Sequence, residues 1–327
     1  MMRLAVALWA LAVASAAAAP AMAQQPFLTI PLDCTLGVDC YVNDYVDQDP
    51  GTGARDYMCG PVTRDTHRGV DFAVFTDRAM HNGVNVLAAA PGTVRGIRDE
   101  MPDIYVTAPN APDLAGRDCG NGVAIDHGGG WTSQYCHMKL GSITVASGER
   151  VRSGTPLGLV GQSGATSYPH VHFTLFHKGQ AVDPFDINAP NACGADHAQG
   201  LWVDDIPYRP GGFIRAGFAD TPPTHADIKA GQDSMTTLPP HAPAMIAWVH
   251  GFSLQPGDEF GATIQSPTGR TLVSTTKMLD RGTKLGMRFI GKNRRNRAWR
   301  VGEYIATFTL HRGGVLVDQV TVKTVVE

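Results

Sequence analysis

The chain has 327 residues, of which 43% are hydrophobic and 17% charged, and its formal net charge is −3. A chain of this length can form two domains of ordinary size, and its hydrophobic content is sufficient for a buried core. The slightly acidic balance argues against nucleic acid as a general partner.

The first 23 residues predict a cleaved export signal. Arg3 supplies a positive charge, an apolar run extends from Leu4 to Ala19, and 21–23 reads Ala-Met-Ala, a small-x-small cleavage site. A transmembrane anchor is the alternative, but the run is short for a bilayer span and the cleavage site follows at once. We therefore expect a cut after Ala23, no transmembrane anchor, and a periplasmic or secreted protein.

The cysteines predict a disulfide framework. An even number of cysteines in an exported protein indicates up to three disulfides. No Cys-x-x-Cys pair is present, so little supports a zinc site made of cysteines. The six cysteines are Cys34, Cys40, Cys59, Cys119, Cys136 and Cys193.

The chain beyond the signal predicts an all-β protein. Short runs rich in β-branched and aromatic residues alternate with turn residues, and helix patterns are scarce. We assign 24–59 to a cysteine-rich amino-terminal segment and 60–206 to one domain. The strands predicted in this domain are 70–75, 84–88, 92–98, 122–127, 131–138, 156–160 and 170–176.

A Pro-rich, loop-like stretch at 207–243 predicts a linker to a second domain. Beyond it, 244–327 shows alternating apolar and polar runs separated by Pro-Gly, Pro-Thr-Gly and Arg-Gly-Gly turns. Six or seven short strands of this kind predict a small β-sandwich. The strands predicted here are 245–250, 259–265, 270–276, 284–290, 301–311 and 314–326.

Two pairs of side chains suggest a metal site. His67 and Asp71 are four residues apart at the start of an apolar strand, and Gly69 allows the backbone to bend so that they converge. His170 and His172 are two residues apart in a predicted strand, so both imidazoles lie on one face. Two imidazoles and one carboxylate make a three-ligand zinc site whose fourth position stays open for water.

A further histidine, His137, ends the predicted strand 131–138. By alternation Tyr135 should share its face, and Cys136 should point away from it. Histidines near such a site that do not bind the metal are suited to moving protons or donating hydrogen bonds.

An ordered set of motifs links these residues. His-x-x-x-Asp at 67–71 precedes Tyr-x-His at 135–137 and Pro-His-Val-His-Phe at 169–173. Between the last two lies a glycine-rich pattern made of Gly148, Val151, Gly154, Leu157, Gly158, Gly161, Ser163 and Gly164. The set resembles the lysostaphin-type (LytM-type) zinc metalloendopeptidases that act on peptidoglycan. The similarity covers 67–173, about a third of the chain.

This resemblance implies a zinc metallopeptidase domain with a compact antiparallel β-sheet core and a groove above it. The implied zinc ligands are His67, Asp71 and His172, and the implied catalytic pair is His137 and His170. Family members often have Glu after the Pro-His-x-His-Phe motif, whereas this chain has Thr174. That departure affects none of the five positions.

The implied activity is hydrolysis of peptide cross-links in bacterial peptidoglycan, with a zinc-activated water as nucleophile and two histidines as acid and base. The pattern does not assign the two roles between the histidines. A D-alanyl cross-bridge is the expected bond if the host has a periplasm, and a glycine-rich bridge is the alternative. Two other functions stay open: a catalytically silent wall-binding activator of an amidase, and a secreted protease acting on glycine-rich protein loops.

Motifs of other hydrolase classes are absent or incomplete. No His-Glu-x-x-His occurs, which excludes the helix-borne type of zinc peptidase site, and 161–165 lacks the final glycine of a serine-hydrolase elbow.

The stretch 281–300 contains eight Lys or Arg and no acidic residue. We interpret it as a solvated hairpin loop, with contact to an anionic wall polymer or a membrane surface as the alternative. The carboxy-terminal domain has no catalytic set of its own, so we expect it to target or position the enzyme.

The hairpin about 128–130 predicts one disulfide, Cys119–Cys136. Folding this hairpin places residue 122 opposite roughly residue 136, which brings Cys119 to the same end of the ladder. Two buried free thiols are the alternative. The other four cysteines allow three pairings, one of which is Cys34–Cys40 with Cys59–Cys193.

Overall fold

The computed structural model describes residues 25–188, 193–194, 196 and 198–327. The expected export signal at 1–23 therefore lies outside the described residues. The described chain is mostly β-structure and has two helices of six residues each, α1 (Asp77–Asn82) and α2 (His225–Ala230). Within these ranges, no helix has the length and apolar character that a bilayer crossing requires.

Ten described strands precede residue 183: β1 (Cys40–Asp44), β2 (Val70–Val74), β3 (Asn85–Leu87), β4 (Gly92–Arg98), β5 (Asn121–Gly128), β6 (Trp131–Met138), β7 (Arg150–Val151), β8 (Pro156–Leu159), β9 (His170–His177) and β10 (Gln180–Val182). Seven of them form an antiparallel sheet in the order β1-β2-β9-β6-β5-β4-β7, and β10 pairs with β9 off this path. β3 and β8 pair separately.

All seven strands predicted in this part are confirmed, each to within one residue at either end. Their alternation explains the agreement. In β9, Val171 and Phe173 are buried in the main core, whereas His172 and Thr174 line a groove on the opposite face. The antiparallel all-β fold is likewise as predicted.

The sequence did not predict β1, which lies in the cysteine-rich segment 24–59. β1 pairs with β2 at the edge of the sheet, and its residues Cys40 and Val42 are buried in the core. Its five residues end in Asn-Asp, which have low β-propensity, so the pattern is weak. The amino-terminal segment thus contributes a strand to the main sheet.

Eight described strands follow residue 211: β11 (Gly212–Ala219), β12 (Thr237–Leu238), β13 (Ala244–Leu254), β14 (Glu259–Gln265), β15 (Thr271–Met278), β16 (Thr283–Asn293), β17 (Gly302–Arg312) and β18 (Val315–Val326). They form two sheets, ordered β11-β13-β16 and β12-β18-β17-β14-β15. Side chains of both sheets share one core, with Phe218 and Val249 from the first and Ile264 and Phe308 from the second. The predicted β-sandwich is confirmed.

The prediction of a loop-like linker over 207–243 is wrong for its central part. β11 pairs with β13, and Phe213 and Phe218 are buried in the sandwich core. α2 follows the N-cap Thr224, whose hydroxyl accepts a hydrogen bond from the backbone of Asp227. The prolines that suggested a linker flank these elements, at positions 207, 210, 222, 223, 239 and 240.

The basic stretch 281–300 is also more ordered than a solvated loop. β16 occupies 283–293 and pairs with β13 along its length. Lys284, near the start of β16, forms a salt bridge with Asp44 of β1. The sandwich and the main sheet are therefore in direct contact through this stretch.

Three disulfides join the six cysteines as Cys34–Cys40, Cys59–Cys193 and Cys119–Cys136. The predicted Cys119–Cys136 bond is confirmed. For the other four cysteines, the structure has the one pairing of the three that was named above.

Replacing Cys119 and Cys136 together with Ser should lower the free energy of unfolding by ~3 kcal/mol in the chain-entropy model. The bond spans a sequence separation of 17 residues, so its loss gives the unfolded chain much more freedom. Denaturant titration measures the change. The matched control is the Cys34→Ser/Cys40→Ser variant, whose bond spans 6 residues and should cost ~2 kcal/mol. A larger loss in the control than in the test variant would contradict the prediction.

Candidate functional site

The pairing of β2 with β9 places two of the predicted metal ligands opposite each other. Asp71 and His172 are register partners in this antiparallel ladder, so their side chains share a face. His67 precedes β2 by three residues. A Cβ at Gly69 would lie 2.6 Å from Nε2 of His172. Glycine is therefore needed at this position to leave room for the imidazole, a reason different from the expected backbone bend.

Three ligand atoms converge at this point. Oδ1 of Asp71 lies 3.1 Å from Nε2 of His67 and 2.7 Å from Nδ1 of His172. The two histidine nitrogens are 3.2 Å apart. His67 and Asp71 are buried and His172 is partly buried. The structure thus brings together the three residues predicted as ligands in an arrangement that could hold a metal ion.

The other nitrogen of each histidine is occupied by an oxygen atom. Nδ1 of His67 donates to the carbonyl oxygen of Tyr45 at 2.7 Å, which directs the Nε2 lone pair toward the convergence point. Oγ1 of Thr174 lies 3.0 Å from Nε2 of His172 and can accept its N–H, which leaves Nδ1 free as a ligand. Contacts of this kind fix the tautomer and orientation of metal-binding histidines. The donor set therefore fits zinc.

The carboxylate of Asp71 is also held from its far side. Its Oδ2 accepts hydrogen bonds from Nη1 of Arg64 at 2.9 Å and from the hydroxyl of Tyr168 at 2.7 Å. Burial raises the pKa of Asp71, but the charge of His67 and the hydrogen bonds from His172 and His67 hold it well below its usual range. Burial lowers the pKa of His67, yet the charge of Asp71 outweighs this and the net shift is upward. The buried anion thus favours a cation at this point.

His137 reaches the site through an uncommon backbone conformation. Its φ is 64°, in the left-handed region that non-glycine residues rarely adopt and that is concentrated at functional sites. The expectation that it shares a face with Tyr135 while Cys136 points away is wrong. Tyr135 is buried in the core, whereas Cys136 and His137 both line the groove. The kink at the strand end turns His137 out of the regular alternation.

His137 and His170 form a pair beside the three convergent side chains, with ring centroids 4.7 Å apart. Nδ1 of His137 donates to the carbonyl oxygen of Ser163 at 2.8 Å, and Nδ1 of His170 to that of Tyr168 at 3.0 Å. Each ring therefore presents Nε2 to the site, and Nε2 of His170 is 3.5 Å from Oδ1 of Asp71. Burial lowers the pKa of both rings, and at His137 the repulsion that would arise if His170 or His172 were also protonated adds to the effect. Both rings are thus neutral near pH 7.

His137 and His172 open into a groove of about 350 Å³. A groove of this size accommodates a short peptide segment. Its other walls mix charged, polar and apolar side chains, and include Ala165. They are lined by Arg64, Arg68, Asp118, Gln134, Thr174 and Phe176, together with the Cys119–Cys136 disulfide.

Comparison with known proteins places this site in a family. Residues 65–184 match the family model described as Peptidase family M23. This segment is an M23 peptidase domain. The match contains all five residues discussed above, and it confirms the family resemblance that the sequence motifs indicate.

Curated relatives match part of this chain, and each of them is longer than it. Peptidoglycan DD-endopeptidase ShyA of Vibrio cholerae is 32% identical over 134 residues, which are 40% of this chain and 26% of that protein. An uncharacterized metalloprotease of Haemophilus influenzae is 30% identical over 124 residues, 38% of this chain and 21% of that protein. The murein hydrolase activator EnvC of Escherichia coli is 40% identical over 62 residues, 19% of this chain and 14% of that protein. The chain thus spans about a quarter or less of these relatives.

Sequence reasoning missed the residues that support the M23 site from behind. Tyr45, Arg64 and Tyr168 contact the ligands but lie in loops outside the strands, so only the fold brings them near. Thr174 could have been found, because it lies two residues after His172 in the same strand and must share its face.

The Thr174→Val variant should bind zinc ~10–100-fold more weakly, the usual effect of removing a partner of a metal-binding histidine. Valine keeps the shape of threonine but cannot accept the hydrogen from Nε2 of His172. Competition with a chromophoric chelator measures the affinity. The Thr132→Val variant, in the neighbouring strand β6, is the control and should bind zinc as the unaltered protein does. Unchanged affinity in Thr174→Val would remove the proposed orienting role.

Proposed function

We propose that this chain is a zinc-dependent endopeptidase that hydrolyses peptide cross-links of bacterial peptidoglycan. The observation that carries the proposal is the convergence of Asp71, His67 and His172 within an M23 domain, next to two neutral histidines. These three residues would hold the metal. Zinc supplies Lewis-acid chemistry when bound, because it polarises a carbonyl group and lowers the pKa of a water molecule.

In this proposal the protons are carried by His137 and His170. Both are neutral near pH 7 because burial lowers their pKa, and both present Nε2 toward the ligand cluster. One ring accepts the proton of the attacking water at Nε2 and, once protonated, donates it to the leaving amine nitrogen. The Nδ1 bonds to backbone carbonyl oxygens keep the rings oriented while this occurs.

The charge of the groove supports a peptide that carries free carboxylates. Two arginines, Arg64 and Arg68, and one carboxylate, Asp118, line the groove. Arg64 is bound to Asp44 and Asp71, whereas no described acidic side chain lies within salt-bridge distance of Arg68. Guanidinium groups pair well with carboxylates, so Arg68 is available to a substrate. Peptidoglycan stem peptides meet this requirement better than uncharged glycine-rich loops.

The relatives and the disulfides support an extracytoplasmic location. One relative is named a peptidoglycan DD-endopeptidase, which supports a D-alanyl cross-bridge as the bond cut here. Three disulfides are typical of oxidising compartments. We therefore place the protein in the periplasm or outside the cell, with a glycine-rich bridge as the alternative substrate.

A second candidate function is activation of a wall amidase. It is supported by the 40% identity to a murein hydrolase activator. Against it stands the complete set of five residues at the site, since an activator has no need for a metal-binding and proton-transfer arrangement. The endopeptidase needs bound zinc for its activity, whereas the activator does not.

The test is release of peptides from purified sacculi by the purified protein, with and without a chelator. We expect release that stops on chelation and returns with added zinc, together with cleavage of a D-alanyl cross-linked dimer in preference to a pentaglycine peptide. If the protein releases nothing by itself but increases release by an added amidase, and chelation has no effect, the activator function replaces the proposal.

A further inference from the structure

The carboxy-terminal sandwich contacts the two chain segments that shape the metal site. Lys284 of β16 donates to Oδ1 of Asp44 and to the carbonyl oxygen of Thr63. Lys229 of α2 donates to the carbonyl oxygen of Ser167. We propose that the sandwich is part of the catalytic unit and that Lys284 is a positioning residue for the metal-binding carboxylate. This inference rests on the proposed metal centre.

A chain of alternating charges links Lys284 to the site. Nζ of Lys284 lies 2.5 Å from Oδ1 of Asp44. Nη1 of Arg64 lies 2.7 Å from Oδ2 of Asp44 and 2.9 Å from Oδ2 of Asp71. A single nitrogen of Arg64 is thus shared between two carboxylates, one of which binds the metal in the proposed function.

The burial of these carboxylates makes the partner from the sandwich important. The side chains of Asp44 and Asp71 are 3% and 0% exposed, while that of Arg64 is 47% exposed. A buried carboxylate without a cationic partner is strongly destabilising. Asp44 would therefore pair more closely with the remaining cation, Arg64. With Lys284 present, Asp44 is neutralised and Arg64 can hold Asp71. Without it, Arg64 would be drawn toward Asp44 and away from the metal-binding carboxylate.

The contact of Lys229 fixes the other side of the site in a similar way. Its Nζ also lies 4.1 Å from the centre of the Tyr105 ring. Ser167, which it binds, adjoins Tyr168. The hydroxyl of Tyr168 donates to Asp71, and its carbonyl oxygen accepts from His170. The sandwich therefore holds both the segment before β2 and the loop before β9.

Apolar packing joins the sandwich to the main sheet beneath these contacts. Tyr41 and Ala73 of the main sheet form one buried cluster with Ile214 and Phe252 of the sandwich. The rings of Tyr41 and Phe252 are 4.9 Å apart. Domains in one chain commonly move relative to each other unless such a buried contact restrains them. The geometry thus supports a site that both domains hold in place, which goes beyond the targeting or positioning role expected above.

The test measures the zinc affinity of the full-length chain by chelator competition. Lys284→Met keeps the length of the side chain and removes its charge, and we expect roughly 10-fold weaker zinc binding, the lower end of the effect of losing an outer partner. Lys284→Arg should restore most of the affinity. The control is Lys292→Met, an exposed lysine of the same strand, which should bind zinc as the unaltered protein does.

A second background separates positioning from a general loss of stability. In Asp44→Asn the buried negative charge is absent, so Arg64 binds only the carboxylate of Asp71. In this background Lys284→Met should change zinc affinity less than twofold. An equal loss in both backgrounds, or unchanged affinity in Lys284→Met alone, overturns the inference. Because no substrate is used, a chain that binds zinc but cleaves no peptide contradicts the proposed function only, and the variant affinities still decide this inference.

Discussion

Replacing His172 with Ala should remove zinc from the purified protein and reduce peptide release from sacculi to background. The change leaves one imidazole and one carboxylate, fewer than the three protein ligands of a catalytic zinc site. The loss should exceed the ~10–100-fold that follows removal of an outer partner. Elemental analysis gives the metal content, and chromatography of the soluble fraction gives the peptides released.

The matched control for this experiment is His177→Ala. His177 ends the same strand, β9, but its ring stacks on Trp131 at 4.2 Å, away from the site. This variant should keep its zinc and most of its activity. Undiminished zinc in His172→Ala, with zinc also bound in the control, would contradict the ligand assignment.

The parts of the site that sequence could predict are those set by strand periodicity. His170 and His172 share a face because they are two residues apart in β9, whose limits the pattern predicted to within one residue. His67 and Asp71 were paired by spacing, but that they meet His172 depended on the family resemblance. The register of β2 against β9, which places Asp71 opposite His172, is not readable from either strand alone.

The parts that sequence could not predict depend on backbone exceptions and long-range contacts. His137 follows no alternation because its φ is 64°, and nothing in its residue type signals that conformation. Asp44, Arg64 and Lys284 come from three distant parts of the chain and meet only in the folded protein. The linker prediction failed for a related reason. The prolines on either side of β11 suggested a loop, and the apolar residues of β11 are buried only because the strand packs in the sandwich.

The His137→Ala and His170→Ala variants should each retain zinc while losing most turnover, by ~10²–10⁴-fold, the usual contribution of a general acid or base. Neither side chain belongs to the convergent ligand set, so metal content should stay near one per chain. Each removal takes away a neutral ring whose Nε2 faces the site and whose Nδ1 is anchored to a carbonyl oxygen. Single-turnover rates on a cross-linked dimer, with zinc content measured in parallel, test this.

The pH dependence of the unaltered enzyme provides an independent check on the same pair. Burial, and then the charges of the neighbouring histidines, lower the pKa of His137 below its ordinary value of 6.5. A base must be unprotonated to act, so its contribution is present above its pKa and is lost as the pH falls through it. The rate should therefore hold as the pH decreases to 6.5 and decline only below that value. The His127→Ala variant, which removes another half-buried histidine of the main sheet, should follow the same profile.

Near-native rates in either His137→Ala or His170→Ala would reduce that residue to a structural role. An acid limb of the pH profile centred above 6.5 would show that the group accepting the proton is not the buried pair.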